Sequence, residues 1–251
     1  MATTEETSKV GPGHGGPLAL LLLDVYRRLL SRYGPQHWWL AEEPFEVMVG
    51  AILTQAAAWR NVEKAIASLR KAGLLSPASL RDASVAELAA AIRPCGYYNS
   101  KARKLKALAD WLRERCHDDL STLHLRDTAE LREELLGVYG IGEETADSIL
   151  LYACSRPAFV VDAYTVRILD RLGIRPPRAQ YAQYQALFAD NLPEEVRLYN
   201  EYHALLVRHG KEVCRRKPSC QRCCLGDVCP SASVPGGTRP AQAEEPRGLT
   251  V

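Results

Sequence analysis

Long apolar runs are missing from this sequence. The longest aliphatic stretch, residues 18–23, is far shorter than the roughly 20 residues a membrane span requires. The Gly- and Pro-rich segment before it lacks the basic flank of a secretory signal, so a cytoplasmic protein away from any membrane is expected. Net charge is also scant. The 32 Lys and Arg stand against 30 Asp and Glu, leaving +2, which excludes a globally basic nucleic-acid binder and places any such case on local clusters. Alternation of apolar and polar residues, the mark of a half-buried strand, is absent, and so is any repeat of solenoid period. A core is not lacking: 47% apolar and 25% charged side chains over 251 residues exclude wholesale disorder and suit one large or two modest globular domains.

The apolar spacing is helical almost everywhere between two tails. Residues 1–16 and 231–251 are rich in small, polar and Pro residues without periodicity and read as disordered. A helix over 18–33 stops at Gly34-Pro35, and Pro44 opens another over 45–54. Ser84 with Glu87 forms a capping box for a helix ending near Ile92, and Asp127 with Glu130 resembles one for a helix ending near Val138. Further helices fit 61–71, 100–116, 143–154, 162–172, 179–189 and 194–209. The fold class is all-α, with short polar loops.

Cysteine is unevenly placed. Cys95, Cys116 and Cys154 are scattered through apolar sequence, where small buried thiols are common, but five of the eight cysteines fall between Cys214 and Cys229. Cys214-x5-Cys220-x2-Cys223-x5-Cys229 offers four thiolates in one loop, which suits either a [4Fe-4S] cluster or zinc; spacing alone does not separate them. A disulfide framework does not fit an intracellular chain. Basic residues are clustered too: Lys101, Arg103, Lys104 and Lys106 in one run, and Lys211, Arg215, Arg216, Lys217 and Arg222 around the cysteines. Solvated helix faces explain many such runs; a phosphate-binding surface is the alternative.

Val138-Tyr139-Gly140-Ile141-Gly142 joins two helices in a tight turn with bare backbone at both glycines. Successive N–H groups there and at the following helix start can hold a phosphate without any side-chain charge. A plain αα-hairpin would use the same residues. Glu143 and Glu144 follow, where negative charge complements the helix start by about 0.3–1 kcal/mol. Asp162 opens a later helix, and an N-cap role explains such a residue by itself. Trp38, Trp39 and Trp59 flank the helix opened by Pro44; they serve either the core or a pocket for a flat, electron-poor ring.

Taken in order, these segments resemble the helix-hairpin-helix DNA glycosylases of the endonuclease III family. The resemblance rests on Ile52-Leu53-Thr54-Gln55, on Gly96-Tyr97-Tyr98-Asn99-Ser100-Lys101-Ala102, on Gly140-Ile141-Gly142, on Val161-Asp162 and on the terminal cysteines, and covers about residues 20–230. It implies that Asp162 is catalytic and that Gln55, Tyr97, Lys101, Gly140, Ile141 and Gly142 meet DNA, although the family often has an aliphatic residue where Tyr97 stands. It implies a [4Fe-4S] cluster on Cys214, Cys220, Cys223 and Cys229, with a first gap of five residues where the family usually has six and with Cys224 as a spare thiol. Members that also nick the strand carry a lysine two residues after the second hairpin glycine, as a Schiff-base nucleophile. Here that residue is Glu144, which cannot form an imine.

Glu144 together with the tryptophans resembles the alkylpurine branch of that family. The expectation is a monomeric, monofunctional DNA glycosylase of base excision repair acting on damaged double-stranded DNA, without AP lyase activity. It would hydrolyse the N-glycosidic bond of alkylated purines such as 3-methyladenine, with Trp38, Trp39 and Trp59 enclosing the extruded base. Two helical domains are expected: a barrel over 36–157 carrying the hairpin, and a cluster-bearing domain over 17–35 and 158–230. The alternatives are a bifunctional glycosylase and lyase acting on damaged pyrimidines through another lysine, and a non-catalytic iron-sulfur protein that binds damaged DNA. An iron-sulfur electron-transfer protein is a further rival, in which the hairpin would have no role.

Overall fold

The computed structural model describes residues 15–38 and 43–232; Trp39 and most of both expected tails lie outside the described residues. Every regular element among the described residues is helical. In chain order they are α1 (Pro17–Tyr33), α2 (Pro44–Leu53), α3 (Trp59–Lys71), α4 (Pro77–Asp82), α5 (Val85–Ala91), α6 (Tyr98–Cys116), α7 (Thr128–Gly137), α8 (Glu143–Ser148), α9 (Ala163–Arg171), α10 (Tyr181–Ala189) and α11 (Val196–Glu212). Short 3-10 turns link several of them.

The helix starts follow local chemistry. Proline sits in the first turn of α1, α2 and α4, where its missing N–H costs nothing and its fixed φ already suits the helix. Ser84 and Glu87 form the full reciprocal capping box at α5. Asp127 caps α7 one-sidedly, accepting from the N–H groups of Ala129 and Glu130. The short α4, closed by a Ser76–Ser79 capping box, escapes a reading based on apolar period, because six residues do not complete two helical turns.

The single helix expected over 143–154 is instead α8 followed by a π-helical turn, Ile149–Ala153. The wider turn shifts the side-chain register so that neighbouring residues face different cores: Leu150 packs in one hydrophobic cluster and Leu151 in the other. The first cluster draws on α2, α3, α5, α6, α7 and α8 through residues such as Met48, Ile52, Leu69, Leu105, Leu112 and Leu135. The second joins α1 to the segments after the π turn, and its centre is aromatic. Phe159 and Phe188 stack with ring centroids 3.6 Å apart, Tyr199 and Tyr202 meet Phe159 edge-on, and the Tyr202 hydroxyl donates to the Leu22 carbonyl at 2.8 Å. Each such side chain contributes about 1.5–3 kcal/mol through burial.

Two features hold the segments around the π turn in place. Asp147, fully buried, takes both arms of the Arg132 guanidinium at 2.7 and 3.0 Å, and Gln185 bridges it to the Phe159 carbonyl. On α11, Gly210 lets α9 come close: a Cβ there would stand 2.5 Å from the Tyr164 ring.

Candidate functional site

A cleft of about 1240 Å³ runs between the hairpin that joins α7 to α8, the end of α2 and the faces of α9 and α11. Asp162, Glu144, Gln55, Trp38, Trp59 and His203 all line it.

Asp162 is the N-cap of α9. Its Oδ1 accepts the Thr165 N–H at 2.7 Å, so the capping role open to it in the sequence is real. The other oxygen is not used by the cap. Oδ2 lies 3.8 Å from Nε2 of His203, an electrostatic contact too long for a hydrogen bond. Burial pushes the Asp162 carboxyl up, but His203 and the Thr165 N–H outweigh it and hold the group below the usual carboxylate range. Asp162 is thus a buried, ionised carboxylate with one oxygen pinned.

Glu144 stands in the first turn of α8, half-buried on the same cleft. Burial, and then the charge of Asp162, push its carboxyl up to about 8. At neutral pH Glu144 therefore keeps its proton while Asp162 does not. Two carboxyl groups with opposed protonation on one cleft are a common basis for acid–base chemistry.

In the hairpin, Gly140 has φ +82°, and a Cβ on it would run into the Lys104 side chain. Gly142 differs from the sequence expectation: its backbone is extended and a Cβ would meet open space. The fold does not require glycine there. As the N-cap of α8 it provides no side-chain acceptor, leaving the first-turn N–H groups bare.

Ile141 is a correction. Its side chain is 5% exposed in the first core and its N–H donates to the Val138 carbonyl, so it anchors the hairpin and offers DNA neither group. Lys101 is a second correction. It is 2% exposed, and its ammonium donates to the carbonyls of Leu53 and Cys95 at 2.8 and 2.9 Å. A phosphate cannot reach it. The lysine closes the C-terminal end of α2 because carbonyls at a helix end lack partners.

Gln55 is engaged with the hairpin. Its amide donates to the Gly140 carbonyl at 3.1 Å and to Thr145 Oγ1 at 3.0 Å, and its oxygen accepts from Lys104 at 2.5 Å. Tyr97 caps α6 with φ +46° directly after Gly96 at φ +63°, and is 75% exposed. Two successive left-handed residues hold a large ring out in solvent.

Trp59 both packs against the first core and lines the cleft, with Nε1 donating to Glu63 at 2.9 Å. Trp38 faces it with centroids 6.1 Å apart and planes tilted by 37°. The Lys211 ammonium lies 5.5 Å from the Trp38 ring centroid.

His203 and Tyr152 were not singled out in the sequence. His203 follows Tyr202 on the apolar stripe of α11, and a histidine in that register is the only signal present. Tyr152 reaches the cleft from the π turn, which leaves no sequence mark.

The sequence profile of HhH-GPD superfamily base excision DNA repair proteins matches residues 49–194, a segment that contains the hairpin and Asp162. This chain belongs to that superfamily. It is 44% identical over 210 residues, 83% of its length, to a protein of Methanocaldococcus jannaschii assigned as a DNA repair glycosylase, 96% of which is covered. A 3-methyladenine DNA glycosylase from H. pylori, solved with 1,N6-ethenoadenine, is similar in structure (TM-score 0.66, 27% identity, 76% of this chain and 97% of that one). An endonuclease III trapped in a covalent intermediate with DNA shares the fold at TM-score 0.73 and 20% identity, over 85% of this chain and 96% of that one. The chain is a DNA glycosylase of the HhH-GPD superfamily, and its all-α architecture is the one expected.

Cys95, Cys116 and Cys154 of this HhH-GPD protein lie within the matched segment, and the five cysteines from Cys214 to Cys229 lie beyond it. All are free thiols. Among the described residues no three His, Cys, Asp or Glu side chains stand together as a ready metal cage. The donor set nonetheless suits a thiolate-bound group. Cys223 lies within electrostatic reach of Cys224, Cys214 and Cys229, and Cys229 within reach of Cys214 and Cys220, while Cys224 also faces Arg32 and Arg28 of α1. Arg171 donates to the Cys214 sulfur at 3.2 Å and to the carbonyls of Arg215 and Arg216. That places a fixed positive charge beside the thiols. Arg215, Arg216, Lys217 and Arg222 on the same loop are exposed.

Proposed function

We propose that this chain is a monofunctional DNA glycosylase that hydrolyses the N-glycosidic bond of alkylated purines such as 3-methyladenine, and leaves the strand intact. The observation that carries the reading is Glu144, a protonated carboxyl on the cleft beside ionised Asp162, where the strand-nicking members of the resembled family have an amine. A carboxyl cannot form the imine that strand cleavage needs.

The chemistry then falls to Asp162. As the bond from the sugar C1′ to the base nitrogen breaks, the electron pair leaves with the base and positive charge develops on the sugar. A buried carboxylate with one oxygen pinned by its helix cap stabilises that charge without reorganising. Water then adds its oxygen to C1′ and releases a proton. An alkylated purine already carries positive charge and leaves as a neutral base, so little acid assistance is required. Trp38 and Trp59, at a tilted separation of 6.1 Å, offer electron-rich faces for such a cation. The resemblance to a 3-methyladenine glycosylase at 27% identity supports the same substrate class.

Damaged duplex DNA would lie across the cleft, with the bare N–H groups after Gly142 on a phosphate, Tyr97 against the stack, and Gln55 released from the hairpin to enter the gap. Cys214, Cys220, Cys223 and Cys229 would hold a [4Fe-4S] cluster, which supplies no step of the hydrolysis and keeps the basic loop folded. The two hydrophobic clusters support two domains, over 36–157 and over 17–35 with 158–230, in a chain that acts as a monomer.

A bifunctional enzyme is the second reading, and Lys211 favours it: its amine lines the same cleft. Duplexes carrying 3-methyladenine, uracil or an oxidised pyrimidine, each read with and without alkali, decide between them. Base release that is strongest on 3-methyladenine and needs alkali for strand breakage is expected. Nicking without alkali, trapped by borohydride and lost in Lys211→Met, would establish the second.

A further inference from the structure

His203 presents a buried polar atom without a partner. The residue is 6% exposed, its Nε2 has no hydrogen bond, and it lines the cleft 3.8 Å from Asp162 Oδ2. Such orphan atoms are uncommon in folded proteins and mark a strained, catalytic or ligand-binding position. The opposite ring nitrogen is firmly held: Nδ1 lies 2.5 Å from the Tyr152 hydroxyl, contributed by the π turn. In the tautomer in which the Tyr152 hydroxyl donates to Nδ1, the ring hydrogen resides on Nε2. A donor and a carboxylate oxygen thus face one another across a gap that neither closes.

We propose that His203, oriented by Tyr152, is the positioning residue that seats the attacking water on Asp162. This rests on the hydrolytic reading above. An oxygen at ordinary hydrogen-bond distance, about 2.8 Å from each atom, completes a triangle on the 3.8 Å base. In that place water accepts from Nε2–H and donates one hydrogen to Oδ2, which leaves a lone pair for C1′. When the C1′–N bond has broken, the water oxygen forms the C1′–O bond and its hydrogen passes to Asp162 Oδ2. The base leaves with the electron pair, and Asp162 later returns the proton to solvent. Tyr152 fixes which face of the imidazole meets the water; it touches no reacting atom.

The test uses single-turnover base release from a 3-methyladenine duplex, run in water and in water–methanol mixtures, for wild type, Asp162→Asn, His203→Ala, His203→Gln and Tyr152→Phe. Loss of seating should slow His203→Ala by about 10²-fold with unchanged affinity for an abasic-site duplex. His203→Gln, which restores a donor, should recover part of the rate. A seated water excludes methanol, so the wild type should yield chiefly the hydrolysed sugar, and His203→Ala and Tyr152→Phe a larger share of the methyl glycoside. Folded variants with wild-type rate, or slower variants with unchanged partition between water and methanol, overturn the role of His203. Turnover by Asp162→Asn, or none by the wild type, removes the hydrolytic reading itself, so the two failures are distinguishable.

Discussion

Replacing Glu144 by glutamine should flatten the pH dependence of stability in the window between its ordinary value of 4.5 and its raised value of about 8. Across that window the unfolded chain has lost this proton and the folded chain keeps it. The folded state then binds more protons, and stability falls as pH rises, by at most about 1.4 kcal/mol per pH unit. The contribution is fully present below pH 4.5 and is lost by the time pH passes about 8. Taken whole, the shift amounts to at most about 5 kcal/mol, of which about 3–4 kcal/mol falls between pH 5 and pH 8. Glutamine copies the shape of the protonated acid but cannot ionise, so it removes the slope without opening a cavity. Urea denaturation of wild type and Glu144→Gln at pH 5, 6.5 and 8 reads the effect directly. The variant should gain on the wild type by about 3–4 kcal/mol between the ends of the range, equivalent to roughly ten degrees in Tm at about 2–4 °C per kcal/mol. Parallel stability curves would refute the reasoning, because they would mean that Glu144 titrates as a solvated carboxylate despite Asp162.

Lys101→Met should cost about 2–4 kcal/mol by leaving two buried carbonyls without a donor, yet leave the salt dependence of DNA binding unchanged; a log–log slope reduced by about 0.9 would instead mean that Lys101 meets a phosphate. Glu144→Lys places an amine beside Asp162, and borohydride should then trap the variant, not the wild type, on abasic DNA; no trapping in the variant would show that this position does not face C1′. Iron and acid-labile sulfide should be present in equal amounts in the purified protein and be lost in Cys220→Ser, with weaker DNA binding and a shallower salt slope. Stoichiometric zinc in their place would refute the cluster assignment.

The helices were legible because a period of 3.6 over ten or more residues leaves a clear apolar stripe, and because Pro44, through its fixed φ, and Ser84 and Asp127, through local hydrogen bonds, mark their starts. The π turn was not. It differs from an α-helix by one residue in register, and the same apolar residues satisfy both. Lys101 and Ile141 were misread for a related reason: a basic run and a hairpin motif say which residues are near a surface, not which of them point inward. Lys101 lies on the buried side of α6 and Ile141 under its turn, while Lys104, in the same basic run, reaches Gln55.

By itself the amino-acid sequence determined the helical class, the hairpin, the cysteine loop, and the presence of an acid where an amine is expected, since each is a matter of residue type at short spacing. Only the tertiary structure decided that Glu144 shares a cleft with Asp162 and keeps its proton, that Gly142 is a glycine the backbone does not need, and that His203 leaves Nε2 without a partner beside Asp162. Those properties depend on burial and on distances between α8, the π turn, α9 and α11. Segments far apart in the chain impose such distances on one another through packing, and no local pattern encodes them.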